Sequence, residues 1–102
     1  MKNTNILQNK KIIKSLRDND IVFAALFGSR AKGKAKKTSD YDFLVEFSPN
    51  KRYTLFDLAG LKLSLEKLLN NEVDLVTMPG MNKRIKNEVL KNMQVVYDDR
   101  KR

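Results

Sequence analysis

Apolar and polar residues follow two periods along the chain, one typical of amphipathic helices and one typical of buried strands. Apolar residues at helical spacing predict helices over residues 5–18, over about 54–69 and from Asn82 onward. Short apolar runs rich in β-forming residues predict strands at 21–27, 41–47, 73–76 and 95–97. A further short helix is predicted over residues 29–35, where Ser29 can cap its first turn.

The order of these elements predicts the fold class. About 25 residues, including a helix, separate the second and third predicted strands, which is long enough for a crossover connection. We therefore expect an α/β (α+β) fold, a small mixed β-sheet flanked by helices, with residues 1–102 forming a single domain.

Four details refine this prediction. Thr54 and Asp57 have the spacing of a capping box at the start of the middle helix. The core-facing positions of that helix are four leucines, Leu58, Leu61, Leu65 and Leu68. The last helix should bury Ile85, Val89 and Met93 on one face. Residues 98–102 are charged and predict a frayed tail.

Composition restricts the chemistry that the chain can perform. The 102 residues include no cysteine and no histidine, which excludes thiolate and imidazole groups as ligands or bases. A catalytic base must be a carboxylate, a lysine or a tyrosine. A metal must bind to oxygen, which favours Mg²⁺, Mn²⁺ or Ca²⁺.

Charge and hydropathy indicate the type of partner and the compartment. A formal net charge of +9 favours an acidic partner such as a nucleotide, a nucleic acid or an acidic protein surface. The lysines are scattered and no aromatic array lies among them, which argues against direct nucleic-acid binding. No apolar run approaches the roughly 20 residues of a membrane span, and the N-terminus lacks a signal-peptide pattern. We expect a cytoplasmic protein without membrane contact.

Candidate metal ligands lie at the start of the second predicted strand. Asp40 and Asp42 are two residues apart, so on a strand they project to the same face at roughly 7 Å. Two ionised carboxylates this close repel each other unless a cation lies between them. Asp74, in the third predicted strand, can reach the same site if that strand lies beside the second; otherwise it only ends a strand near the surface.

Candidate phosphate-binding residues precede the carboxylates. Gly28 allows close backbone approach to a ligand, and Ser29 offers a hydroxyl and a backbone N–H at a helix start. Arg30 and the lysines between residues 32 and 37 can neutralise phosphate, although most of these lysines are equally compatible with a solvated loop. Together with the aspartates, these residues predict a site for a nucleoside triphosphate and a metal ion.

The combination of motifs resembles the minimal nucleotidyltransferases of the DNA polymerase β superfamily. The resemblance rests on Gly28-Ser29-Arg30-Ala31 with Gly33 and Ala35, on Ser39-Asp40-x-Asp42-x-x-Val45, and on Val73-Asp74-Leu75-Val76. It covers nearly the whole chain. A lysine at position 32 replaces the arginine that is usual there.

The resemblance implies an activity, a site and a partner. Gly28, Ser29 and Arg30 would bind the nucleotide; Asp40, Asp42 and Asp74 would bind Mg²⁺ or Mn²⁺ and form the catalytic set, with Asp74 as ligand or base. AMP would pass from ATP to an acceptor hydroxyl. Small stand-alone relatives are antitoxins that pair with ribonuclease toxins of the HEPN family, in which a tyrosine is the expected acceptor.

Three hypotheses about function follow from these patterns. The chain is an Mg²⁺-dependent adenylyltransferase acting on a cognate HEPN-type toxin, with which it forms a hetero-oligomer. Alternatively, it neutralises its partner by binding alone. A third possibility is a nucleotidyltransferase subunit that modifies a small molecule or an RNA end together with a separate helical subunit.

Overall fold

A mixed four-stranded sheet with helices on both faces forms the protein. The computed structural model describes residues 9–28, 40–80 and 82–100. The strands are β1 (Ile21–Phe27), β2 (Tyr41–Phe47), β3 (Val73–Thr77) and β4 (Gln94–Asp98), and the α-helices are α1 (Lys10–Asp18), α2 (Leu55–Leu69) and α3 (Lys83–Asn92). A 3₁₀ turn covers Met78–Gly80. The predicted mixed sheet with flanking helices is confirmed; the predicted short helix over 29–35 lies outside the described residues.

The strand order in the sheet is β3-β2-β1-β4. β1 pairs antiparallel with both β2 and β4, whereas β2 and β3 are parallel. The parallel pair requires a crossover connection, which α2 provides. The fourth predicted strand is present and lies at an edge of the sheet.

Helix α1 begins later than the sequence pattern predicts. The prediction placed its start at residue 5, but Asn9 caps the helix and Lys10 is its first residue. The Asn9 side chain accepts hydrogen bonds from the backbone N–H groups of Lys11 (2.9 Å) and Ile12 (3.2 Å), which fixes the start at this position. Residues 5–8 of the predicted helix lie outside the described residues.

Helix α2 begins with the predicted capping box. The Asp57 carboxylate accepts the Thr54 backbone N–H at 2.8 Å, and the Thr54 hydroxyl accepts the Asp57 N–H at 3.4 Å. The helix ends at Asn70, whose φ of 55° is left-handed. Leu61 and Leu65 are fully buried, but Leu68, which was predicted to share their face, lies at its margin and is 39% exposed.

Two apolar cores lie on opposite faces of the sheet. The larger core joins α1 and α2 to the sheet through side chains that include Ile12, Leu16, Phe43, Leu61 and Leu65. The smaller core joins α3 to the other face through Phe23, Ala25, Leu44 and Val89. Met93 packs against the smaller core, as predicted, and the side chain of Ile85 lies outside the described part of the structure.

The C-terminal segment is ordered further than the sequence suggests. Asp98 belongs to β4, and the Asp99 N–H donates to the Val22 carbonyl at 2.7 Å. The Arg100 guanidinium lies 4.1 Å from the centre of the Phe23 ring and bonds to Asp98 at 3.0 Å. The prediction of a frayed tail from residue 98 is therefore wrong as far as Arg100, because strand pairing and a cation–π contact fix these residues.

None of the helices in the described ranges has both the length and the apolar character that crossing a membrane requires.

Candidate active site

Three strands bring predicted site residues to one end of the sheet. Strand β1 is antiparallel to β2, and β2 is parallel to β3. The end of β1 therefore lies at the same end of the sheet as the beginnings of β2 and β3. Phe27 is paired with Asp42, and Asp42 is paired in turn with Asp74. Gly28 directly follows Phe27. The strand neighbours that the Asp74 prediction required are therefore present.

Strand alternation sets the direction of the carboxylates. Phe43 belongs to the larger core and Leu44 to the smaller core, so Asp42 projects to the same face as Leu44. Val73 is fully buried in the larger core, so Asp74 also projects to the α3 face. Asp40 is exposed and immediately precedes β2. Asp42 and Asp74 therefore lie on the face of the sheet opposite to α1 and α2.

Gly28 provides the space that Asp42 occupies. Its φ of 75° lies in the left-handed region, which favours glycine. A Cβ atom built on Gly28 would collide with Oδ2 of Asp42 and would stand 3.4 Å from its Cγ. The sequence predicted that Gly28 allows close approach of a ligand; the structure shows that the same position allows close approach of the Asp42 carboxylate.

The Asp42 carboxyl carries an electrostatic conflict. Partial burial raises its pKa, and the negative charges of Asp74 and then Asp40 raise it further. A hydrogen bond between the Asp42 and Asp74 carboxyl groups acts in the same direction, because it favours the protonated form of Asp42. A bound cation would reverse these effects, since it would favour the ionised form of each carboxyl group.

The residues present fit a hard divalent cation in part. Mg²⁺ usually takes one or two protein carboxylates and completes its octahedron with water and phosphate oxygens. The adjacent Asp42 and Asp74 meet that requirement with oxygen donors alone. Among residues 9–28, 40–80 and 82–100, no group of three or more such side chains is arranged to hold a metal ion. The three-aspartate metal set therefore stays a prediction.

A fourth acidic residue, Glu66, supports the site and was missed in the sequence. Its carboxylate accepts the backbone N–H of Val73 at 3.0 Å and an Nζ–H of Lys62 at 2.5 Å. Val73 is the first residue of β3 and directly precedes Asp74. Glu66 thus ties the end of α2 to the strand that carries Asp74. The spacing of Lys62 and Glu66 predicts their pairing, but a contact across the turn to Val73 has no sequence signature.

Lys62 places a positive charge near the acidic cluster. Its hydrogen bond to Glu66 raises its pKa, and the charges of Glu66, Asp74 and Glu72 also favour the ammonium form. The same hydrogen bond lowers the pKa of Glu66, followed by the bond from the Val73 N–H. Both side chains are therefore charged at neutral pH.

The remaining predicted site residues cannot be located. Ser29, Arg30 and the lysines between residues 32 and 37 lie outside the described residues. Their predicted contacts with phosphate stay predictions.

Comparison with known families gives one match that covers most of the chain. The family model described as "Polymerase beta, Nucleotidyltransferase" matches residues 10–102. A Methanocaldococcus jannaschii protein named as a protein adenylyltransferase is 41% identical over 81 residues, which cover 79% of this chain and 85% of the relative.

Solved structures with a similar fold include a nucleotidyltransferase and a toxin–antitoxin complex. A structure described as a minimal nucleotidyltransferase aligns with a TM-score of 0.75 and 35% identity, covering 91% of this chain and 94% of the other. A second match comes from a complex of a tri-AMPylated Shewanella oneidensis HEPN toxin with an MNT antitoxin. Its TM-score is 0.68 at 25% identity, and it covers 96% of this chain and 73% of the other.

Proposed function

The chain belongs to the polymerase β-type nucleotidyltransferase family, and on this premise we propose that it transfers AMP from ATP to a hydroxyl group of a protein partner. The observation that carries the proposal is the side-by-side position of Asp42 and Asp74 at one end of the sheet, next to Gly28. Paired carboxylates with oxygen donors alone suit a reaction in which phosphate charge must be neutralised.

The transfer exchanges one phosphorus–oxygen bond for another. The acceptor oxygen forms a bond to the α-phosphorus of ATP while the bond from that phosphorus to the oxygen bridging the β-phosphate breaks. Pyrophosphate leaves with the electron pair of the broken bond. The proton of the acceptor hydroxyl must be removed, and Asp74 is exposed at the site and can accept it.

Asp40, Asp42 and Asp74 would hold Mg²⁺, or Mn²⁺ in its place. The ion would neutralise charge on the phosphate oxygens and favour departure of pyrophosphate. Asp42 would be stabilised by such an ion, because burial and two neighbouring carboxylates raise its pKa when no cation is bound. Gly28, Ser29 and Arg30 would hold the triphosphate beside these aspartates.

We assign a HEPN-type toxin as the protein partner, and a tyrosine as its acceptor. Support comes from the Shewanella oneidensis complex, in which an AMPylated HEPN toxin is bound to an MNT antitoxin. The adenylyltransferase name of the Methanocaldococcus jannaschii relative agrees with this chemistry. In the proposed function, the transferred AMP silences the toxin within a hetero-oligomer.

Label transfer tests the proposal. The purified chain, the protein that co-purifies with it from its native cell, Mg²⁺ and ATP labelled at the α-phosphate are incubated together. We expect label on the partner, and none when EDTA removes the metal. Asp42→Asn should lower the rate by about 100-fold or more, because metal charge stabilisation is worth several kcal/mol.

Asp99→Asn is the matched control, since it makes the same chemical change at an exposed position that follows β4 and bonds to Val22 near the start of β1, away from the candidate site. Its transfer rate should equal that of the wild type. Equal labelling by wild type and by the Asp40→Asn, Asp42→Asn double variant would refute catalysis at this site. If the double variant transfers no label but still neutralises the partner in cells, the result would instead support neutralisation by binding alone.

A further inference from the structure

The outer face of α2 carries apolar side chains that the fold does not use. Phe56, in the first turn of α2, is 88% exposed, and Leu63, in the middle of the helix, is 65% exposed. Ala59 and Gly60 lie between them and are also exposed. We call Phe56, Ala59, Gly60 and Leu63 the apolar strip. Exposed apolar patches of this kind mark interaction surfaces more often than isolated apolar residues do.

The spacing of the strip is that of a helix–helix seam. Phe56, Gly60, Leu63 and Lys67 follow one another at intervals of four, three and four residues, which is the heptad spacing of a coiled-coil interface. The core-facing leucines, Leu61 and Leu65, lie on the opposite side of the helix. Helix α2 therefore has two seams, and among the residues that the structure describes only the inward one is covered.

Gly60 adds an independent observation. Glycine in a helix interior is unfavourable relative to alanine, yet a Cβ atom built on Gly60 would meet nothing within 4 Å. Packing among the described residues therefore gives no reason for a glycine. Between Phe56 and Leu63 it leaves a gap into which the side-chain ridge of a second helix fits.

The strip is neutral although the chain carries a net charge of +9. The charged residues of α2 nearest to it are paired within the chain. Lys62 pairs with Glu66 at 2.5 Å, and Asp57 lies 3.8 Å from Lys51. With these two charges paired, an apolar surface can cover the four residues of the strip, and Lys67, one turn beyond Leu63, places a positive charge at its end.

A positive groove continues from the strip. Lys67 lines a groove of about 380 Å³ between α1 and α2, together with Lys11 and Lys14 of α1. Asp18 also lines it and pairs with Lys14 at 2.6 Å, so the groove retains a positive excess. We call Lys11, Lys14 and Lys67 the lysine groove. Lys67 lies one helical turn beyond Leu63, the last residue of the strip, and also lines the groove, so the two features form one continuous surface.

We infer that the apolar strip and the lysine groove together form a docking surface for an amphipathic, acidic helix of a partner protein. Apolar side chains of that helix cover the strip and pack into the gap at Gly60. Carboxylates at one end of the helix lie over the lysine groove. A second copy of this chain fits less well, because two surfaces of the same positive sign would meet.

The docking surface is separate from the candidate active site. Helices α1 and α2 cover the larger core, whereas Asp42 projects to the opposite face, with Leu44. A helix bound to α2 therefore leaves the aspartates accessible, and partner binding can be measured independently of AMP transfer.

Binding of a synthetic helix tests the inference. The probe is a fluorescent 21-residue helical peptide with leucines at heptad seam positions and glutamates at one end; a second peptide carries lysines in place of the glutamates. Fluorescence anisotropy should show saturable binding of the acidic peptide, weaker at high salt, and at least tenfold weaker binding of the basic peptide. Amide resonances of Gly60 and Leu63 should shift.

Variants assign the binding to this surface. Phe56→Ser and Leu63→Ser should each weaken binding of the acidic peptide at least tenfold, and Lys67→Glu should weaken it while strengthening binding of the basic peptide. Leu90→Ser is the control, because Leu90 is an exposed leucine on α3 at 39% exposure. Far-UV circular dichroism confirms that each variant is folded.

Three results would overturn the inference. The first is absence of binding up to millimolar peptide; the second is equal affinity for the acidic and basic peptides. The third is sedimentation that shows self-association of the wild type and none of Phe56→Ser, which would assign the surface to a second copy.

Discussion

At the scale of single residues, Asp42 is the position on which the site depends. Its carboxyl group is paired with Asp74 across the β2–β3 ladder, and Gly28 leaves it room. Its pKa is raised by burial, by Asp74 and by Asp40. A carboxylate whose surroundings disfavour ionisation lowers the stability of the metal-free fold, and a bound cation would stabilise it.

This cost predicts how stability changes with pH in metal-free protein. The pKa of Asp42 is higher in the folded protein than in the unfolded chain. The contribution of Asp42 to the free energy of unfolding is therefore fully present below the unfolded pKa and is lost as the pH rises through the folded pKa. In Asp42→Asn the side chain does not ionise, so this loss of stability at higher pH is absent. The variant should gain up to about 1 kcal/mol over wild type at pH 7, and less at pH 3.

Urea unfolding at both pH values in EDTA measures the difference. Asp99→Asn changes an exposed aspartate directly after β4; it is the control and should show no such change between the two pH values. A variant less stable than wild type at pH 7 would contradict the assigned conflict. Added Mg²⁺ and a non-hydrolysable ATP analogue should then stabilise the wild type more than Asp42→Asn.

Two glycines give a second prediction at this scale. Gly28→Ala should destabilise the fold by about 1–2 kcal/mol, because the position is left-handed and the new Cβ meets Asp42. Gly60→Ala, in the middle of α2 with open space around it, should instead stabilise the fold by up to about 1 kcal/mol. Denaturant unfolding of the two variants should show changes of opposite sign.

At the scale of elements, the connection between α2 and β3 positions Asp74. β3 is an edge strand, and its first N–H group is satisfied by Glu66 rather than by another strand. This arrangement fixes the start of β3 relative to α2. Glu66, which is not among the predicted site residues, therefore helps to position Asp74.

Glu66 therefore yields an element-scale prediction. Glu66→Ala removes the acceptor for the Val73 N–H and should lower both the melting temperature and the rate of AMP transfer. Glu66→Gln keeps an acceptor oxygen and loses only the charge, so it should restore most of the melting temperature and of the transfer rate. Equal rates for wild type and Glu66→Ala in the labelled-ATP assay would show that the contact does not position Asp74.

Element boundaries show what local sequence patterns specify. The capping box at Thr54 and the Asn70 stop were predictable, because side chain and backbone interact within a few residues. The helix predicted over 5–18 is interrupted at Asn9, whose extended backbone and side-chain cap begin α1 at Lys10; the part of the prediction before Asn9 lies outside the described residues. The tail was misjudged because Arg100 is fixed by Phe23, which is distant in sequence.

At the scale of the whole molecule, strand order determines which residues meet at the candidate site. The sequence predicts the strands and proposes Asp40, Asp42 and Asp74, but the parallel register that sets Asp42 beside Asp74 depends on long-range packing. The outward seam of α2 was likewise not foreseen, because exposure of Phe56 and Leu63 follows only once the inward leucines are placed. Local patterns specify elements; their packing decides which residues meet.

The central claim is that the aspartates at the sheet end transfer AMP to a protein partner, and the mass of that partner tests it most directly. The partner is co-expressed with the wild-type chain or with the Asp40→Asn, Asp42→Asn double variant, and its intact mass is measured. With the wild type we expect an increase by a whole number of AMP units, and with the double variant none. An unmodified partner beside the wild type, or equal modification beside the double variant, would contradict the claim.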